Sequence, residues 1–259
     1  MKTLIAPRPR TRKLTLGLVA TLATAVVALA AALAAAAATA APAPAPSRGT
    51  AAEFAVKWQA GASGPRTLED VGRLLEWSDP KAKTFETRYV TVTQPRGLPA
   101  DTKVIVRERQ EGGETRTTYK MRGPENAKAF IDAAACALSR PDPKETKREF
   151  DVLALGKLSE SRSYAFSCSA AGPASGALPA ALEGERLPCS VEVRRLKRGA
   201  FKAESWALPG GAAVLEVSMN GLNDAASRRT FADGALTRLL DAGIAPLADS
   251  KTELASRCP

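Results

Sequence analysis

Strict alternation of apolar and polar positions opens the folded part of this 259-residue chain. Across 53–58, Phe54, Val56 and Trp58 share one face and Glu53, Ala55 and Lys57 the other, as in a half-buried strand. The period then changes. Leu68, Val71, Leu74 and Leu75 fall on one helical stripe, Thr67 stands where a cap is needed with Asp70 in the first turn, and Asp79-Pro80 stops the helix. Strand patterns follow over 84–93, 102–110 and 115–121, the last two joined through Glu111-Gly112-Gly113-Glu114, whose paired glycines predict a hairpin turn. Pro124 opens a second predicted helix, with Ala127, Phe130, Ile131, Ala134 and Leu138 as its apolar stripe, ending before Pro141. Strand patterns return over 148–155, 161–168, 189–196, 201–208 and 212–220. A helix over 226–241, carrying Phe231, Leu236, Leu239 and Leu240, precedes a short tail. This order predicts an α+β protein built around a large, curved sheet or barrel in which antiparallel hairpins dominate.

Upstream of that domain the pattern is of another kind. Lys2, Arg8, Arg10, Arg12 and Lys13 precede an uncharged Ala/Leu/Val run over 14–41, and Ala38-Thr39-Ala40 offers a small-residue cut. Residues 1–40 therefore read as a signal peptide or, since the run is long enough to cross a bilayer, as an N-terminal membrane anchor. Residues 41–50 form an Ala/Pro-rich spacer and 51–259 the domain. Either way the expected location is outside the cytoplasm, periplasmic or secreted. No other long apolar run exists, so no further membrane role is expected.

Composition narrows the chemistry. Five of the 37 basic residues lie in the N-terminal segment with no acid, so the net charge of +10 falls to +5 for the exported part, a modest bias toward anions. Four cysteines in an exported chain imply two disulfides. Cys168 and Cys189 bracket a Gly/Pro/Ala-rich loop between two strands and are expected to pair, leaving Cys136 for Cys258. Zinc is disfavoured, because no spacing is C-x-x-C and the chain has no histidine. The same absence excludes Ser-His-Asp and Cys-His nucleophiles and the H-E-x-x-H metalloprotease helix. Nucleic acid is not expected as a partner, for there is no clustered basic helix and few aromatic side chains.

Period-two alternation also sorts the charges. Arg107 and Arg109 share a side, Arg116, Thr118, Lys120 and Arg122 another, and Glu216 and Ser218 lie opposite Leu215, Val217 and Met219. On an open sheet such a face is simply solvated. In a closed barrel with its helices outside, it lines a basic interior suited to a highly charged anion.

In order, Glu53-x-Ala55-x-Lys57, Arg107-x-Arg109, Thr118-Tyr119-Lys120, Glu216 and Ser250-Lys251 resemble the motifs of the CYTH superfamily, the triphosphate tunnel enzymes. The resemblance runs over nearly the whole domain, though each motif is short. The resemblance implies an antiparallel β-barrel or tunnel of about eight strands with helices packed outside, in which Lys57, Arg107, Arg109, Lys120 and Lys251 bind phosphate, while Glu53 and Glu216 bind Mg or Mn if the protein is enzymatic. The pattern departs from the family where Ala55 and Ser218 replace two expected carboxylates, which leaves a poor site for a hard cation. The expectation is therefore an exported domain that binds an anionic phosphate ligand (polyphosphate, triphosphate or a nucleotide-type phosphate) with weak or no hydrolysis. Two alternatives stand beside it. One is a metal-dependent phosphohydrolase recruiting acids such as Glu86, Asp151, Glu192 or Glu204; the other is a structural or protein-binding envelope module.

Overall fold

The computed structural model describes residues 49–258 apart from Ala62 and Glu183. The expected targeting segment 1–40 and nearly all of the expected 41–50 spacer lie outside the described residues.

Nine strands close into one barrel: β1 (Ala51–Gln59), β2 (Lys81–Val90), β3 (Lys103–Glu111), β4 (Glu114–Gly123), β5 (Lys147–Ala154), β6 (Glu160–Ala171), β7 (Val191–Arg198), β8 (Phe201–Ala207) and β9 (Ala213–Leu222). Their order around the wall is β1-β5-β6-β4-β3-β2-β7-β8-β9, and β9 returns to β1. The predicted barrel with outer helices is thus present, with one strand more than expected. It is also not wholly antiparallel, because β1 and β5 pair in parallel, Ala51 to Glu149 through Ala55 to Leu153. A parallel pair needs a long crossover, and three strands, two α-helices and two 3-10 turns separate β1 from β5.

Local chemistry explains most elements. Helix α1 (Leu68–Leu74) begins with a capping box: Thr67 Oγ1 accepts from the Asp70 amide, and the Asp70 carboxylate accepts from the Thr67 amide. Gly112 and Gly113 both take positive φ (58° and 84°), which lets a two-residue turn join β3 to β4. The second predicted helix is much shorter than its apolar stripe. A 3-10 turn, Glu125–Ala127, leads into α2 (Lys128–Asp132), and Ala134 and Leu138 lie beyond it. Arg148 Nη2 donates to the carbonyls of Asp132 and Ala134 there, satisfying groups that a longer helix would have bonded internally. A short α3 (Ala174–Ala177) follows β6. The helix predicted over 226–241 is α4 (Ala225–Phe231), a π turn (Ala232–Leu236) and α5 (Thr237–Asp241) in succession. Gly234 in the π turn is hemmed in by a neighbour, since a Cβ there would meet Phe201 Cζ at 2.7 Å. The expected tail instead contains α6 (Lys251–Ala255), capped by Ser250 and Glu253.

The outward faces of the strands carry the main core. Phe54, Val56 and Trp58 of β1 and Leu215, Val217 and Met219 of β9 are buried together with Val71, Phe231 and Leu239 of the helices. Each such side chain contributes about 1.5–3 kcal/mol by leaving water. A second apolar cluster, containing Tyr89, Ile105, Val191, Val193, Trp206 and Val214, belongs to the inward faces and is joined by Leu254 and Ala255 of α6.

The disulfides pair differently from expectation: Cys136 with Cys168, and Cys189 with Cys258. Strands β6 and β7, which follow one another in the chain, are far apart around the wall, so bracketing a loop does not bring Cys168 to Cys189. Cys168 lies on the outer face of β6, where the chain leaving α2 passes. Cys189 precedes β7 and lies against the end of α6, its Sγ 4.0 Å from the Ala255 carbonyl.

Candidate functional site

The inward faces that are not apolar enclose a cavity of about 440 Å³. Lys57, Arg107, Arg109, Lys120 and Lys251, the five cations singled out from sequence, all line it, as do Glu53 and Glu216. Alternation delivers them. On β1 the outward Phe54, Val56 and Trp58 leave Glu53, Ala55 and Lys57 inside, and on β3 the outward Val104 and Val106 leave Lys103, Ile105, Arg107 and Arg109 inside. In all, eleven Lys and Arg and seven Asp and Glu face the cavity, so its wall is net cationic. Of the four acids named as possible recruits, Asp151 and Glu204 line it. Glu86 and Glu192 are Cα partners across β2 and β7 and are exposed on the outside.

Most of these charges are already matched. Lys251, carried inward by α6, donates to Glu204 Oε2 at 2.9 Å and Glu216 Oε1 at 2.7 Å, with its Nζ 4.8 Å over the Trp206 ring. Burial works against its charge, but Glu204 and Glu216 outweigh that and push the ammonium above its ordinary range. Glu204 also accepts from Arg195 Nε (2.8 Å) and Trp206 Nε1 (3.0 Å); burial would raise its pKa, yet Lys251 and Arg195 hold it well below the usual carboxylate range. Lys202 meets Glu53 at 2.5 Å. Lys120 Nζ and Arg122 Nε both reach Asp151 Oδ2 at 2.8 Å. Burial nevertheless leaves Lys120 below its ordinary value.

A smaller set stays unmatched. Among the described residues, Lys57, Arg107, Arg109 and Lys147 have no ion-pair or side-chain hydrogen-bond partner, and neither does Glu149. Arg109 lies over the Phe85 ring at 4.0 Å, and its Nε is buried without an acceptor. Burial, followed by the charges of Arg107 and Arg195, pushes it down to about 10. An anion placed there would relieve both the desolvation and the like-charge repulsion.

Glu53, Glu149 and Asp151 bring carboxylate oxygens within 4.8 Å of one another, and Glu216 is not part of that group. Burial and then the Glu53 charge raise Glu149, whereas in Glu53 the effect of burial is overcome by Lys202 and Lys251, which lower it. The residues that sequence reasoning left out of the site, Arg195, Lys202 and Glu149, share the parity of Val193, Trp206 and Asp151 on their strands. That parity is the signal that would have found them.

The molecule is thus a closed mixed barrel with a cation-rich interior. No family model matches the chain, and no curated protein matches it. Among solved structures it is similar to the PH1819 protein of Pyrococcus horikoshii OT3, at 11% identity and TM-score 0.44, over 78% of this chain and 97% of that one. It is similar to the PH1012 protein of the same organism at 14% identity and TM-score 0.41, over 78% and 98%. A third, from Vibrio parahaemolyticus and provisionally named an adenylate cyclase, aligns at 11% identity and TM-score 0.42, over 81% and 99%. Likeness at this level assigns neither family nor activity to the chain.

Proposed function

We propose that the domain is exported and that its barrel interior binds a phosphate polyanion (polyphosphate, triphosphate or a nucleotide-type phosphate) with little or no hydrolysis. The observation that supports this reading is that five cations scattered over three strands and the C-terminal helix line one cavity, with Arg107 and Arg109 left without acid partners. A guanidinium pair of this kind suits planar, bidentate contact with phosphate oxygens. The two disulfides fit an oxidising compartment, and among the described residues no helix is long and apolar enough to cross a membrane. Titration calorimetry with tripolyphosphate at low and high salt tests the proposal. Saturable binding that weakens with salt is expected, and its absence overturns the reading.

A metal-dependent phosphohydrolase is the second reading, favoured by the Glu53, Glu149 and Asp151 group. Their oxygens suit a hard cation such as Mg²⁺ or Mn²⁺, and Asp151 Oδ1 is buried without a hydrogen-bond partner. A bound ion would neutralise phosphoryl charge and acidify a water there. Glu53 and Asp151 are, however, already paired with Lys202, Lys120 and Arg122. Phosphate release that requires Mg²⁺ and is lost in Glu149→Gln would establish this reading in place of simple binding.

A further inference from the structure

Lys57 is the odd cation of the cavity. It is only 5% exposed, yet its side chain faces the interior. Its cross-strand neighbour in register is Glu216, the natural partner for it. That carboxylate is taken by Lys251 at 2.7 Å, and no other acid reaches Lys57 among the described residues. A buried ammonium with no counterion is costly and responds by giving up its proton.

We propose that Lys57 is a nucleophilic amine that captures the carbonyl of a phosphate-bearing aldehyde, while Arg107 and Arg109 hold the phosphate. This rests on the anion-binding reading above and adds a covalent step to it. The neutral amine's lone pair attacks the carbonyl carbon. The two Nζ protons pass through water to the carbonyl oxygen, whose bond to carbon breaks as it departs as water, leaving a carbon–nitrogen double bond to Nζ. No oxidant or reductant is consumed. The groups facing Lys57 agree with this role. Burial pushes its pKa down to about 8; Glu216 and Glu253 act in the opposite sense, and Lys251 and Arg122 reinforce the fall. Near neutral pH a far larger share of Lys57 is then neutral than of a solvated lysine.

The test uses the full chain with pyridoxal 5′-phosphate as probe, sodium cyanoborohydride to fix the imine without reducing the disulfides, and peptide mass spectrometry. Lys57 is expected to carry at least about tenfold more label than the exposed Lys81 and Lys157, with tripolyphosphate suppressing that label and Lys57→Arg abolishing it. If tripolyphosphate binds but Lys57 stays unlabelled, the covalent proposal is wrong and the anion site stands. If pyridoxal without its phosphate labels Lys57 equally and tripolyphosphate does not compete, the proposed phosphate hold is wrong. Lys251→Met frees Glu216 for Lys57 and should cut the labelling severalfold; unchanged labelling in the folded variant overturns the proposed cause. Should that variant not fold, the wild-type labelling ratio and the competition still decide.

Discussion

The barrel interior has two regions built on opposite principles. Around Trp206, Tyr89 of β2, Val191 and Val193 of β7 and Val214 of β9 form an apolar patch of the interior that is filled by Leu254 and Ala255 of α6, which Cys189–Cys258 fastens in place. Along β1, β3, β4 and β5 the inward faces carry charges that meet in pairs and leave open space between them. Hydrophobic burial is non-directional and rewards filling a volume, whereas ion pairs reward particular geometries and keep solvent close. One part of the interior is therefore closed and the other kept open, and β3, β7, β8 and β9 contribute to both. The two regions meet at Lys251, whose helix packs in the apolar side and whose ammonium binds Glu204 and Glu216 on the charged side.

The contrast is sharpest for stability. Trp206→Ala empties the apolar side and should cost about 3–5 kcal/mol, read as a lower denaturation midpoint and little affected by salt. Next comes Glu204→Gln at the junction, which removes a buried carboxylate from the half-buried Arg195 and Lys251 and should cost about 3 kcal/mol in the same assay. If both changes prove mild, the division into a closing side and an open side fails. On the open side the expectation reverses. Arg109→Ala should leave the unfolding midpoint near wild type and weaken tripolyphosphate binding by about tenfold or more, or about 1.5–3 kcal/mol of charge-assisted bonding.

The smallest effect concerns pH. Because burial and Glu53 raise Glu149, the folded state holds its proton more tightly than the unfolded chain. Its contribution to stability is therefore present at low pH and lost as pH rises through the folded pKa. Protonation also removes a negative charge from the cavity, so tripolyphosphate affinity should rise by about twofold as pH falls through that transition. Glu149→Gln should flatten this dependence in calorimetry at several pH values. A profile identical to wild type would show that another group is responsible.

Strand positions were legible because half-burial imposes a period of two that single residues report. The alternation of 53–58, the Gly112-Gly113 turn and the Thr67 cap each depend on neighbours a few positions away. The second helix was overestimated because Ala134 and Leu138 continue an apolar stripe, whereas the carbonyls there are satisfied by Arg148, a residue distant in sequence. The cysteine pairing failed for a related reason. Nearness along the chain suggested Cys168 with Cys189, but the order of strands around the wall separates them.

Sequence alone determined which side chains share a strand face, since parity along a strand is a local property of the backbone, and closure of the barrel decided that the polar face turns inward. Lys57, Arg107, Arg109, Lys120, Glu53 and Glu216 fall on the polar faces of their strands or in the motifs of the resemblance, and once the barrel closes all line the cavity. Which cation each acid neutralises was decided only by tertiary structure. Pairing depends on strand order, the parallel β1–β5 contact and the entry of α6, and these bring together residues as distant as Lys251 and Glu204, or Lys202 and Glu53. Burial then turns that geometry into chemistry. In the low dielectric of the interior, a charge with a partner is held ionised and one without it, as at Lys57, is driven toward neutrality.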